Sequence, residues 1–280
     1  MVQRGEGEAR YGIVGHPVDH SRSPTIHRLF ARQAGVEINY ELIDAPPESL
    51  ETAIRGFAAA GGKGLNITVP HKEAALALCD TVGEAAKLAG AANTLSLREG
   101  GTIRGDNTDG IGLIRDLQEN RRLTVAGARI LVLGAGGAAR GIIGPLLAEK
   151  PGELRLANRT RERADALAAK WDSVVACTFE ELADEAPFDL VFNATSAGLK
   201  GEAPPFPTNV VGSNSTAYDL VYSLKDTPFV TWAKAAGSRR AVQGWGMLVE
   251  QAAESFEIWH GKRPNTRAIL TQLLGPRWNR

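Results

Sequence analysis

The chain is poor in cysteine and carries no surplus of charge. Its 280 residues include only two cysteines, Cys79 and Cys177, with no Cys-x-x-Cys spacing. That excludes a disulfide framework and points to buried free thiols in a reducing, cytoplasmic setting. Lys+Arg number 32 and Asp+Glu number 32, with no block of one sign. Nothing therefore draws the chain in general to nucleic acid or to a membrane surface. Any bound anion must be caught by local groups. No apolar run approaches a membrane span, and the start, MVQRGEGEAR, lacks the apolar segment of a signal peptide. Internal repeats and low-complexity segments are also missing. What is present is 43% apolar residues, over a length that suits two domains with sizeable cores. An enzyme is the leading class.

The first ten residues are polar and expected to be loose. Short apolar runs then alternate with helical patterns, which predicts a mainly parallel sheet covered by helices. Strands are expected over residues 10–14, 39–43, 64–69 and 93–97. Helices are expected over 24–34, 47–60 and 71–88, the last broken near 80–83. Pro24 and Pro47 stand near helix starts, where a missing N–H is harmless. A further helix opens at Asn107-Thr108-Asp109-Gly110. The run Arg-Ile-Leu-Val-Leu over 129–133 is continuous and apolar, the pattern of a strand buried on both faces. Strands near 153–157, 173–177, 190–193, 217–220 and 240–242 follow, with helices between them, and the chain closes on helices over 244–259 and 265–274. The predicted fold is α/β in two domains. Residues 1–107 are expected to form a first α/β domain and 108–243 a Rossmann-type doubly wound domain, with 244–280 returning to pack on the first.

The strand at 129–133 runs into Gly134-Ala135-Gly136-Gly137-Ala138-Ala139, a match to the G-x-G-x-x-[GA] fingerprint in its strand-to-helix context. Glycines there let backbone N–H groups approach a pyrophosphate at a helix N-terminus. The residue ending the next strand distinguishes NAD from NADP. Instead of an acid, the sequence reads Asn158-Arg159-Thr160-Arg161-Glu162-Arg163. Arg159 and Arg163 flank a helix start, and Thr160 adds a hydroxyl. The missing carboxylate and the planar guanidinium forks favour NADP.

A second cluster lies in the first half. Ser21 and Ser23 precede a helix and offer two hydroxyls as a carboxylate seat. Asn66 and Thr68 fall on one face of a strand by its period of two. Lys72 follows a proline-marked corner, and Asn93 and Asp109 add an amide and a carboxylate at element ends. Taken singly, each is explained by a cap, a turn or a surface charge.

Taken together, and in order, these segments resemble the shikimate dehydrogenase family. The resemblance is carried by Val14-Gly-His-Pro-Val-Asp-His-Ser-Arg-Ser-Pro24, Asn66-Ile-Thr-Val-Pro-His-Lys72, Gly90-Ala-Ala-Asn-Thr94, Gly105-Asp-Asn-Thr-Asp-Gly110, Gly134-Ala-Gly-Gly-Ala138, Asn158-Arg-Thr160, Asn193-Ala-Thr-Ser196 and Gly246-Met-Leu-Val-Glu-Gln251. It implies interconversion of 3-dehydroshikimate and shikimate with NADP(H), in aromatic amino-acid biosynthesis. By position it implies that Ser21, Ser23 and Tyr222 hold the substrate carboxylate. Thr68, Lys72, Asn93, Asp109 and Gln251 would meet the ring hydroxyls. Gly134 to Ala138 would take the pyrophosphate, and Asn158, Arg159, Thr160 and Arg163 the adenosine end. Leu220 and Gly244 would lie near the nicotinamide, and Glu84 would make a weak cofactor contact. His16, Arg28 and Gln243 depart from the residues common at their positions.

Ketone reduction needs a hydride donor and a proton for the developing alkoxide. Lys72 is suited to give that proton, with Asp109 holding it charged and aimed. On the last long helix Gly244, Met247 and Gln251 are spaced three and four apart and share a face. His16 and His20 are separated by Pro17, which argues against a helical metal pair, so no metal site is expected. Two other readings stay open: a quinate/shikimate dehydrogenase with broader substrate or NAD use, and a nicotinamide-binding regulator without chemistry. A homodimer is also left open.

Overall fold

The computed structural model describes residues 8–195, 206–276 and 278. Residues 1–7, expected to be loose, and Ser196 of the Asn193 motif lie outside the described residues. The chain divides into two compact units, residues 1–112 with 249–280, and residues 113–248. The limits fall inside two helices, rather than at 107/108 and 243/244.

The first unit holds a six-stranded sheet of order β2-β1-β3-β5-β6-β4. Its strands are β1 (Ala9–Gly15), β2 (Ile38–Asp44), β3 (Gly62–Ile67), β4 (Thr81–Val82), β5 (Thr94–Leu97) and β6 (Ile103–Asp106). Helices α1 (Ser23–Ala34), α2 (Leu50–Ala59), α3 (Lys72–Ala77) and α4 (Glu84–Ala89) belong to the same unit. The core joins Val14, Leu65, Ile67 and Leu95 of the strands to Ile54 and Phe57 of α2. The expectation of a mainly parallel sheet is corrected here in part. β1, β2 and β3 are parallel, but β5 runs antiparallel to both β3 and β6. The sequence Ile-Arg-Gly-Asp of β6 has one large apolar residue, too few to show a period. Gly100 and Gly101, at φ 81° and 82°, make the turn that brings it back onto β5. The helix expected over 71–88 is broken near 80–83 as expected, with β4 in the break, and β3 ends at Ile67 rather than at 69.

The second unit carries β7 (Arg129–Leu133), β8 (Glu153–Ala157), β9 (Val174–Cys177), β10 (Leu190–Asn193), β11 (Thr216–Asp219) and β12 (Arg240–Gln243), all parallel. Their order is β12-β11-β10-β7-β8-β9, the doubly wound arrangement with its switch point between β7 and β10. Alternate residues of β7 enter different cores. Ile130 and Val132 pack with Leu154, Leu156 and Phe192, while Leu131 and Leu133 pack with Val191, Ala217 and Phe229. This is why the run at 130–133 has no polar face. α6 (Gly137–Ala148), α7 (Arg161–Ala168) and α8 (Pro228–Ala235) cover the sheet. α5 (Asp109–Arg115) and α9 (Trp245–His260) contain the limits between the units, and α10 (Thr266–Leu274) closes the chain in the first.

Candidate active site

In the first unit, Lys72 opens α3 just past the Thr68–His71 corner, where the His71 N–H donates to the Thr68 carbonyl at 2.9 Å. Its backbone carbonyl accepts from the Ala92 N–H at 2.8 Å, which ties the corner to the segment carrying Asn93. Asp109 opens α5, its own N–H bonded to Asn107 Oδ1 at 3.1 Å. Lys72 Nζ stands 2.6 Å from Asp109 Oδ2, the two side chains 14% and 5% exposed. Removing one partner from so buried a pair leaves an uncompensated charge, a loss of about 3–5 kcal/mol. The other oxygen, Asp109 Oδ1, accepts from Asn93 Nδ2 at 3.0 Å. Asn93 Oδ1 accepts the Thr108 N–H at 2.8 Å, and a backbone N–H can only donate, so the amide orientation is settled. Its Nδ2 also donates to Gln251 Oε1 at 3.1 Å.

Four expected substrate residues, Lys72, Asn93, Asp109 and Gln251, thus form one connected group. Ser21, Ser23 and Thr68 stand apart from it: among the described residues no hydrogen bond joins them to the four. They follow β1 and β3, whose parallel pairing sets Val14 opposite Ile67 and so places both loops at one end of the sheet. The two loops are tied by the His16 N–H to the Val69 carbonyl at 3.1 Å. Ser21 Oγ accepts the Ser23 N–H at 3.3 Å, holding both hydroxyls at the start of α1. Gly15 is required there, because a Cβ would stand 2.4 Å from the Thr68 methyl. His71 points elsewhere, its Nε2 at 2.7 Å from the Ala45 carbonyl. His16 Nδ1 faces Asp44 at 2.9 Å. Glu84 sits exposed at the start of α4.

In the second unit, Gly134 to Ala138 link β7 to α6 at the switch point. Gly134 has φ 101°, and a Cβ there would meet Ala194 and Thr195 at 3.0–3.1 Å, whereas Gly136 opens on free space. This is a cradle in which N–H groups at a helix start face an approaching anion, and it fits a pyrophosphate. At the tip of β8, Asn158 Nδ2 donates to the Thr160 carbonyl at 2.8 Å, closing the turn into α7. Arg161 is engaged by Asp165 and Glu181 at 2.9–3.1 Å. Arg159 and Arg163 are exposed and make no ion pair among the described residues. Two guanidinium groups thus stand ready for an anion where an NAD site needs a carboxylate.

Leu220 and Gly244 come together, for a Cβ on Gly244 would lie 2.6 Å from the Leu220 carbonyl oxygen. The preceding Asp219 is buried, which pushes its pKa up against hydrogen bonds from Thr227, Val221 and Asn193. Gln243 holds the 223–225 loop, accepting from the Ser223 N–H at 2.6 Å and donating to the Lys225 carbonyl at 2.9 Å. Tyr222 packs its ring on Trp245, 4.8 Å between centroids. Sequence reasoning left out Thr94, Thr108 and Ser255, whose hydroxyls surround Asn93 and Gln251. For Ser255 a signal existed: it lies four residues after Gln251 on one helix, hence on the same face.

The strand order and the glycine cradle define a dinucleotide-binding α/β protein with a second unit that carries a buried Lys–Asp pair. Family models described as "Shikimate dehydrogenase substrate binding domain", "Shikimate / quinate 5-dehydrogenase" and "Shikimate 5'-dehydrogenase C-terminal domain" match residues 13–95, 116–200 and 244–274. The chain is 52% identical over 267 residues to the shikimate dehydrogenase (NADP(+)) of Alkalilimnicola ehrlichii, covering 94% of this chain and 98% of the relative. With that of Aeromonas salmonicida the identity is 51%, covering 94% and 97%. Among solved structures, shikimate dehydrogenase from Aquifex aeolicus matches with a TM-score of 0.87 at 35% identity, covering 97% of this chain and 99% of the other. Shikimate 5-dehydrogenase from Thermus thermophilus, in complex with NADP(H) and shikimate, matches with a TM-score of 0.82 at 36% identity, covering 92% and 95%. The chain belongs to the shikimate dehydrogenase family.

Proposed function

We propose that the chain interconverts 3-dehydroshikimate and shikimate with NADP(H), a step of aromatic amino-acid biosynthesis. One observation carries the chemistry: a lysine ammonium held 2.6 Å from a buried carboxylate, beside an amide and a glutamine side chain. Lys72 donates the proton to the alkoxide that forms on ketone reduction and takes it back in the reverse direction. Asp109 keeps Lys72 charged and aimed, and Asn93, Gln251 and Thr68 hold ring hydroxyls. Ser21 and Ser23 seat the substrate carboxylate at the start of α1, with Tyr222 as a further contact. Bound NADPH supplies the hydride. Residues 134–138 hold its pyrophosphate, Asn158, Arg159, Thr160 and Arg163 its phosphorylated adenosine end, and Leu220 and Gly244 flank its nicotinamide. Glu84 makes an outlying cofactor contact. The first unit is the substrate-binding domain, and the second the cofactor domain. A reducing, cytoplasmic compartment suits Cys79 and Cys177, whose thiols burial pushes up to about 11, in the unreactive protonated form.

Lys72→Met tests this directly, because methionine keeps stem length and carries no proton. Turnover of shikimate with NADP+ should fall by about 10²–10⁴ while shikimate Kd, from a direct titration, moves several-fold at most. Near-normal kcat in the folded variant would remove Lys72 from the chemistry.

A further inference from the structure

We propose that Ser255 is a positioning residue for substrate binding, its hydroxyl orienting the Asn93 amide through Thr94. The proposal rests on the substrate assignment of Asn93 and Gln251 made above.

Ser255 is fully buried on a stretch of α9 whose other buried residues are Val249, Ala252, Ala253 and Phe256, with the ion-paired Glu250. A hydroxyl among these is unusual unless it is used, since a buried polar group without partners is costly. Ser255 Oγ lies 3.0 Å from Asn66 Nδ2, 2.7 Å from Thr94 Oγ1, 3.3 Å from Thr108 Oγ1 and 3.1 Å from the Gln251 carbonyl. It has one proton to give and two lone pairs.

The direction of the chain follows at its two ends from groups that have no choice, and at Ser255 from distance. Asn66 Nδ2 lies 3.2 Å from the Asn93 carbonyl, which only accepts, so that end of Asn66 is the amide nitrogen and donates to Ser255. The other end, Oδ1, accepts the Tyr40 hydroxyl at 2.7 Å. Farther along, Thr94 Oγ1 gives its proton to Asn93 Oδ1 at 2.9 Å. A lone pair of Thr94 therefore faces Ser255, and the serine proton, with the Gln251 carbonyl as a second acceptor at 3.1 Å, goes to the nearer Thr94 Oγ1 at 2.7 Å. The order is Asn66 N–H to Ser255, Ser255 O–H to Thr94, Thr94 O–H to the Asn93 amide oxygen. Its terminus is a second donor on the Asn93 oxygen, beside the Thr108 N–H, and together they hold the Asn93 NH₂ toward Asp109 Oδ1 and Gln251 Oε1. Those are the groups that must meet substrate hydroxyls in the right order of donors and acceptors. A chain of aligned hydroxyls also strengthens each of its members.

The test is a double-mutant cycle on steady-state kinetics of the full chain with shikimate and NADP+. Ser255→Ala should raise the shikimate KM about three- to tenfold, the scale of one lost hydrogen bond, and leave the NADP+ KM in place. In an Asn93→Ala background the same change should add nothing, because the group it orients is gone. Ser255→Thr, which keeps the hydroxyl, should restore the shikimate KM to within about twofold of wild type, a difference well below one hydrogen bond. If the Ala variant fails to fold, Thr94→Val breaks the same chain one link on and should give the same selective rise. Multiplying effects in the cycle, or equal rises in both KM values, would reduce Ser255 to packing and overturn the proposal. If Asn93→Ala itself leaves the shikimate KM unchanged, the substrate assignment of Asn93 falls and takes this proposal with it. A rise for Asn93→Ala alone overturns only the role of Ser255.

Discussion

His27 offers a quantitative test of how the first unit is held together. Its ring is fully buried, stacked on Tyr40 at 4.5 Å between centroids, with Trp259 at 5.5 Å and Phe30 at 5.8 Å. Neither ring nitrogen meets a partner at hydrogen-bond geometry among the described residues. Burial first, and neighbouring His260 second, push its pKa down to about 3, while the Asn66 side chain acts weakly in the other direction. Folded His27 is therefore neutral, whereas in the unfolded chain it protonates near the ordinary value of 6.5. Below that value the unfolded state binds the additional proton. The stability that neutral His27 represents is full above pH about 6.5 and drains as pH falls toward about 3, by about 1.4 kcal/mol per pH unit. Between about pH 7 and about pH 5 the loss comes to about 2 kcal/mol. His27→Leu removes the titration and keeps an apolar side chain of similar volume. Urea unfolding of both proteins at the two pH values isolates the contribution of His27, since other acid-sensitive groups are common to both. Wild type should lose about 2 kcal/mol more than the variant over this interval. Equal losses would mean that folded His27 accepts a proton freely, and the burial reasoning for α1 and α9 would be wrong.

Two further outcomes concern the second unit. Arg159→Ala should raise the NADP+ KM about tenfold to a hundredfold, the scale of a charge-assisted phosphate contact, with little change for NAD+; steady-state kinetics with both cofactors decides it, and equal effects would sink the 2′-phosphate assignment. Gly246→Ala should destabilise the chain by about 3 kcal/mol or more, read as a lower urea midpoint. A Cβ there would lie 1.8 Å from Asp116 Oδ1, on a fully buried carboxylate already held by Tyr218 at 2.6 Å and flanked by Arg121 at 3.5 Å. Unchanged stability would show that Asp116 moves aside without loss.

Much of the second unit was legible residue by residue, because its signals are local. A strand apolar from Ile130 to Leu133, a glycine loop and a helix follow one another within residues 129–148, and the missing acid after β8 is a matter of one position. The order of the six strands follows the known handedness of such units and needs no long-range information. The first unit was less legible. β6 carries one large apolar residue in four and shows no period, and although the break near 80–83 was legible, the two-residue strand that fills it was not. The family resemblance named the residues of the candidate site, but sequence by itself could not say which of them touch. Lys72 and Asp109 are 37 residues apart, and Asn93 and Gln251 are 158 apart. Only the sheet order and the return of α9 bring them within a hydrogen bond. The same packing brought in Thr94, Thr108 and Ser255, which have ordinary local readings and acquire a role from what surrounds them. Hydrophobic period and turn chemistry act between neighbours in the chain and are written in its residues. The orientation of an amide is decided by donors and acceptors arriving from elsewhere, and for Asn93 that meant β3, α5 and α9 together.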